Sequence, residues 1–151
     1  MKLKPYDIIL CKNDKSLIQK IIRKVTNDKY THSEIYAGGY HIIDATLRGV
    51  KVRNFDNTLG TFDTYRYYRD LTDKEKEDIE EFLHKSLNSK YDILEIIQQL
   101  FRIKPKKNNK YICISLLVEA FKNAKVEIDE WQQGFKQISD SKYFIKVNNC
   151  K

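Results

Sequence analysis

The chain has 151 residues, 41% hydrophobic and 32% charged, with five glycines and two prolines, which excludes collagen-like and low-complexity proteins and argues against wholesale disorder. Twenty-eight basic residues against 21 acidic give a formal charge of +7, but no apolar run approaches the roughly 18 residues of a membrane span. The expectation is a cytoplasmic protein without signal peptide or transmembrane segment, one domain over residues 1–151, large enough to bury about two-thirds of its unfolded surface in one core.

In chain order, Tyr6 to Lys12 reads as a short apolar strand around Ile8-Ile9-Leu10-Cys11. Ser16 can cap a helix whose Leu17, Ile18, Ile21, Ile22 and Val25 repeat at helical spacing. From Thr31 to Tyr68 the texture is β-rich: His32 to Tyr36, Tyr40 to Thr46, Val50 to Phe55 and Phe62 to Tyr68. Turns fall at Gly38-Gly39, Arg48-Gly49 and Asn57 to Gly60. Thr72 and Glu75 form a capping-box pattern ahead of Ile79, Phe82, Leu83 and Leu87. A second helix spans Ile93 to Phe101, a Lys/Asn-rich loop runs from Lys104 to Asn109, and Tyr111 to Asn123 carries a broad apolar helical face. Tyr143 to Val147 closes the series as an edge strand. The order predicts an α+β fold, an antiparallel sheet packed against helices.

Charge is locally sorted: Asp70 to Glu81 holds seven acids and two lysines, and Lys104 to Lys110 holds four lysines in seven residues. A basic loop of this kind can hold an anionic partner, or it can simply solvate the surface.

Cys11, Cys113 and Cys150 are odd in number and far apart, so neither a disulfide framework nor a close-paired zinc site is expected. Each is a lone thiol. Cys11 belongs to a strand core and Cys150 to the tail. Cys113 opens a helix, where free N–H groups and the positive dipole end stabilise a thiolate and can receive an oxyanion. Taken alone, it also reads as a small buried hydrophobe.

His32 lies on a strand whose alternation puts Glu34 and Tyr36 on its face. The loop to the next strand decides its partner. A two-residue Gly38-Gly39 loop sets His32 opposite Ala45. A three-residue Ala37-Gly38-Gly39 loop, with Gly39 left-handed in a G1 bulge, pairs Tyr36 with Tyr40 and sets His32 directly opposite Asp44. The expectation is the three-residue loop, which brings a carboxylate to the imidazole. Glu34, on the face of His32, could substitute as the orienting acid but is expected as a solvent-exposed carboxylate; His41 and His84 are expected as surface residues, and Tyr30, Tyr36 and Tyr40 as possible cleft walls.

A helix-start thiol with an imidazole oriented by a carboxylate is the set of parts of a cysteine-nucleophile triad. The segment Tyr30-Thr31-His32-Ser33-Glu34-Ile35-Tyr36-Ala37-Gly38-Gly39, followed by Asp44-Ala45 and Gly49-Val50, resembles the histidine hairpin of NlpC-type papain-like hydrolases. Tyr111-Ile112-Cys113-Ile114-Ser115-Leu116 lies downstream of it, an order similar to the circularly permuted, YiiX-like branch. Further resemblances are Tyr6-Asp7-Ile8-Ile9-Leu10, Lys90-Tyr91-Asp92 and Ile138-Ser139-Asp140. Ile114 and Asp44 stand where this branch often has Ser and Glu.

The resemblance implies one permuted papain-like domain with Cys113 as nucleophile, His32 as base and acid, and Asp44 orienting His32, with no metal and no cofactor. The implied substrate is a small peptide, a cell-wall-type peptide or an acyl or lipid group, cleaved at an amide, ester or thioester bond through an acyl-enzyme, with no obligatory nucleic acid. The alternatives are a non-catalytic basic module, holding nucleic acid or anionic lipid through Lys104, Lys106, Lys107 and Lys110, or a catalytically dead hydrolase fold.

Overall fold

The structure is a computed structural model that describes residues 2–13, 17–58, 60–100 and 109–147. The run Ile8–Cys11 forms β1, and it is followed by α1 (Leu17–Thr26), β2 (His32–Gly38), β3 (His41–Thr46) and β4 (Gly49–Asn54). Next come β5 (Phe62–Tyr67), α2 (Asp73–Ser86), α3 (Ile93–Leu100), α4 (Cys113–Asn123), α5 (Lys136–Ser139) and β6 (Phe144–Val147). The six strands form one antiparallel sheet in the order β4-β3-β2-β1-β5-β6. As expected, β6 is an edge strand. The uninterrupted apolar run of β1 fits its central place, paired on both sides and buried on both faces.

The alternation of the strands divides the sheet into two faces. Ile8, Leu10, Ile35, Ile43, Ala45, Val50 and Tyr65 join the main core, where they meet the buried face of α4: Leu116, Leu117, Ala120 and Phe121. α2 packs on the other side of α4, so α4 is apolar around much of its girth. The opposite face carries a smaller cluster, Ile9, Cys11 and Ile42, with Tyr36, Phe55 and Phe62 against it.

Local chemistry closes the elements. The Thr72 hydroxyl accepts from Glu75 N at 3.2 Å while Glu75 Oε2 accepts from Thr72 N at 2.8 Å, the capping box legible in the sequence. The β2–β3 hairpin corrects the expected loop. Gly38 pairs with His41, and Gly39 and Tyr40 both have positive φ, 55° and 68°, which makes a two-residue type I′ turn. Tyr36 pairs with Ile42 rather than Tyr40, and Ala37 is the extra residue of a bulge. The twist of a type I′ turn matches that of the strands, and the Tyr36 hydroxyl accepts Tyr40 N at 3.3 Å. The next hairpin turns on Leu47-Arg48, one residue earlier than expected, between Thr46 and Gly49.

Candidate functional site

His32 and Asp44 do meet. His32 Nε2 lies 2.6 Å from Asp44 Oδ2, with the carboxylate fully buried and the imidazole 16% exposed. They are not cross-strand partners, however. Carrying the Ile35–Ile43 and Tyr36–Ile42 register along the strands sets Glu34 opposite Asp44 and His32 opposite Thr46. His32 therefore reaches Asp44 diagonally, a separation long side chains can span. A slip of two residues keeps both on one face, whereas a slip of one would have parted them.

Two further residues complete the cluster. Arg53 enters from β4, where Asp44 pairs with Lys51 and Ile42 pairs with Arg53, so the arginine shares the face of Asp44. Its Nε donates to Asp44 Oδ1 at 3.0 Å and its Nη2 to Asp44 Oδ2 at 2.5 Å, a fork against the carboxylate. The same Nη2 donates to Glu34 Oε1 at 3.0 Å, and the Thr58 hydroxyl donates to Glu34 Oε2 at 2.7 Å. Glu34, expected at the surface, is 1% exposed. Its carboxylate is held inside because Arg53 and Thr58 satisfy it.

Burial alone would raise Asp44, but the hydrogen bonds from His32 and Arg53 outweigh it and hold the carboxyl below its ordinary range. Burial does win at Glu34 and pushes it up. Burial opposes the charged form of His32, yet the hydrogen bonds to Asp44 and to Cys113 push it up to about 10.

Cys113 is the first residue of α4, with Ile112 extended at the N-cap. Ser115 Oγ accepts Ile112 N at 3.0 Å and donates to Glu95 at 2.7 Å, tying the helix start to α3. Asp92 Oδ1 accepts Glu95 N at the start of α3. The segments entering the two helices run side by side through a Tyr91–Tyr111 bridge, Asp92 N donating to Tyr111 O at 3.1 Å and Tyr111 N to Lys90 O at 3.2 Å. This lattice fixes the start of α4 and with it the place of Cys113. Since Nε2 faces Asp44, Nδ1 is the ring nitrogen left for a further partner.

A cleft of about 550 Å³ opens beside His32, walled by Gln19 and Ile22 of α1, the Leu47-Arg48 turn and Tyr91. Cys113 itself is 1% exposed. It lies instead in the wall of a small apolar cavity with Val25, Ile96, Ile112 and Phe135, and Ile22 borders both spaces. Of the tyrosines expected as cleft walls, Tyr30 is core, its hydroxyl donating to Asp63 at 2.6 Å, Tyr36 packs on Phe55, and Tyr40 is exposed. Cys11 is buried as expected, directly cross-strand from His32, and burial pushes its thiol up. His41 and His84 are exposed. Cys150, Ser16, Phe101 and Lys104, Lys106 and Lys107 lie outside the described residues.

No protein-family model and no curated protein matches the chain. The fold is similar to the crystal structure of metalloprotein yiiX from Escherichia coli O157:H7 (DUF1105), with a TM-score of 0.74 over 96% of this chain and 96% of that one at 14% identity. At that identity the likeness is one of fold. The chain has a YiiX-like α+β fold, a six-stranded antiparallel sheet with helices. Among the described residues no helix is long and apolar enough to cross a membrane.

Sequence reasoning missed Arg53, and it weighed Glu34 as a substitute acid for His32 without expecting its burial. Arg53 was within reach of strand counting: once Leu47-Arg48 is the turn, Asp44 meets Lys51 and Ile42 meets Arg53. Glu34 carried no signal of burial, because its burial depends on Arg53 and Thr58.

Proposed function

We propose that this chain is a cysteine-nucleophile hydrolase of an amide, ester or thioester bond, built as a single permuted papain-like domain of NlpC type over residues 1–151. The observation that supports the reading is the buried His32–Asp44 pair at 2.6 Å, close enough to Cys113, the thiol that opens α4, for the imidazole to feel it.

A protonated imidazole favours the thiolate of a thiol bonded to it. In the proposed reaction the Cys113 sulfur attacks the substrate carbonyl carbon, and the oxyanion forms at the first turn of α4, where N–H groups lack intrahelical acceptors. His32 passes its proton to the leaving amine, alcohol or thiol as the C–N, C–O or C–S bond breaks, leaving a thioester on Cys113. His32 then takes a proton from water, whose oxygen attacks the thioester, and the acid departs as the thiolate re-forms. Asp44 fixes the ring so that one nitrogen faces the sulfur throughout. The cleft beside His32 is the proposed seat of a peptide or acyl substrate, with Leu47 and Tyr91 offering apolar contact and Arg48 an anion contact.

The cluster of His32, Glu34 and Asp44, whose ligand atoms all lie within 4.8 Å of one another, raises a second reading, since the fold neighbour is a metalloprotein. The donor set does not fit a divalent ion. Arg53 Nη2 already sits between Glu34 Oε1 and Asp44 Oδ2, and His32 Nε2 spends its position on Asp44 rather than offering a free lone pair. No step is drawn through a metal.

A thiol-directed acylating probe at neutral pH tests the proposal. It should label Cys113, lose its label in Cys113→Ala, and be released with turnover when the probe is a simple thioester. A label on Cys11 or Cys150 with activity surviving Cys113→Ala would overturn it, and labelling without release would mark a dead hydrolase fold.

A further inference from the structure

The cation between the two buried carboxylates belongs to the chain itself. Glu34, 1% exposed, and Asp44, fully buried, stand opposite each other on neighbouring strands, with their oxygens turned toward the nitrogen of His32. Two carboxylates so placed repel each other and call for a positive charge. In a protein metal site that charge would be an ion at roughly 2.0–2.2 Å from each oxygen and nitrogen. Here it is a guanidinium. Arg53 forks onto both oxygens of Asp44 and shares one N–H group's nitrogen with Glu34, so a single planar group spans the pair. The Arg53 side chain is only 27% exposed, and it reaches the cluster from β4, the strand that follows the Leu47-Arg48 turn.

We infer that Arg53 holds the place of a divalent cation in a His–Glu–Asp site, excludes metal from it, and is the positioning residue that aims Asp44 at His32. The inference goes beyond the hydrolase reading: metal exclusion stands on the cluster alone, and only the aiming of His32 rests on that reading. A bidentate guanidinium does something a spherical ion does not. It uses the geometry of both Asp44 oxygens and fixes the plane of the carboxylate, leaving one direction of Oδ2 for the imidazole N–H. A lysine at the same position would supply charge without the fork. Thr58 closes the other side by donating to the remaining Glu34 oxygen.

The test uses the whole chain and two ions, Zn²⁺ and Mn²⁺. Wild-type protein equilibrated with equimolar Zn²⁺ and desalted should retain far less than one ion per chain, and Mn²⁺ should leave the His32 imidazole resonances unbroadened. Arg53→Met, which keeps much of the apolar stem, should bind one Zn²⁺ per chain at least tenfold more tightly than wild type and show Mn²⁺ broadening at His32. Adding Asp44→Asn and Glu34→Gln should abolish that gain. Stoichiometric metal on the wild type with broadening at His32 would overturn the inference, as would a folded Arg53→Met protein with no gain in affinity. If Arg53→Met does not fold, the wild-type arm still decides.

The positioning role has its own readout. Arg53→Met should slow labelling of Cys113, Arg53→Lys should restore little of the rate, and added guanidinium ion should restore more than added ammonium at equal concentration. Equal rescue by both ions would leave only a charge and overturn the positioning role. The metal arms require no turnover, so an inert Cys113 would defeat the hydrolase reading and leave them unchanged.

Discussion

Asp44 serves His32 and Arg53 through the same oxygen, Oδ2, at 2.6 Å and 2.5 Å, while its other oxygen accepts a second bond from Arg53. A carboxylate held at both ends in a site with no exposure of its own cannot be removed without leaving charge unpaired. Asp44→Ala should therefore lose stability and reactivity together. Removing one partner of a buried pair costs on the order of 3 kcal/mol, and chemical denaturation should show a loss of that size. Labelling of Cys113 by the acylating probe should fall at least tenfold under conditions where the variant is folded. Asp44→Asn, whose carbonyl oxygen still accepts from the imidazole, should retain more of both.

The imidazole itself offers a pH measurement. With burial opposing its charge but the hydrogen bonds to Asp44 and Cys113 prevailing, His32 should titrate near 10 in NMR spectra of the wild type. In Cys113→Ala the midpoint should fall, because one of the two residues that raise it is gone. That variant also isolates the sign of the stability effect, since the Cys113 side chain is absent. A histidine raised above its ordinary value of 6.5 contributes its full stabilisation below that pH and loses it as pH rises through its folded midpoint. In the Cys113→Ala background, the stability excess over Cys113→Ala/His32→Gln should thus decline from about pH 6.5 upward and vanish above the midpoint that NMR gives. An excess that grows with pH would contradict the arrangement.

The Gly49-Val50 step has a backbone reason. Gly49 has φ of +89°, and a Cβ there would meet the Ser89 carbonyl oxygen at 2.6 Å. That contact is part of the seam in which Val50 N donates to Ser89 O at 3.0 Å and Asn88 N to Val50 O at 2.9 Å. Gly49→Ala combines a strained φ, itself about 1–3 kcal/mol, with a clash against backbone. Thermal unfolding should register a drop of several degrees. Val52→Ala on the same strand, at an exposed position, should change little.

Hairpin parity explains why so much of the site could be read from the chain, and register explains where the reading failed. Alternation assigns a residue to a face, and any loop that shifts the pairing by two returns the same faces. His32 and Asp44 thus came together although the expected Tyr36–Tyr40 pairing is replaced by Tyr36–Ile42. The choice between a G1-bulge loop and a type I′ turn with a bulge at Ala37 depends on whether Tyr40 accepts a left-handed conformation. Its contact with the Tyr36 hydroxyl settles that in three dimensions. The helical starts were legible where they carried local chemistry, as at Thr72 and Glu75. Glu34 was not legible, because its burial rests on a guanidinium two strands away.

Access to the Cys113 thiol can be tested by alkylation. Cys113 is 1% exposed and is not among the residues lining the cleft, which include His32, Cys11 and Ile22. Ile22, 7% exposed on α1, borders both the cleft and the apolar cavity that contains Cys113, which makes it the side chain to truncate. Ile22→Ala should open a path to the sulfur, and iodoacetamide should alkylate Cys113 several-fold faster than in the wild type. The same substitution costs about 2–5 kcal/mol of core packing, and global unfolding would also expose the thiol. Ile79→Ala separates the two routes: Ile79 is fully buried on α2, and its truncation creates a comparable cavity away from the site. If alkylation accelerates in Ile22→Ala and not in an Ile79→Ala protein of matched stability, α1 is the cover over Cys113. Equal acceleration in both would mean that the thiol is reached only through unfolding, and would remove Ile22 from any role in admitting substrate.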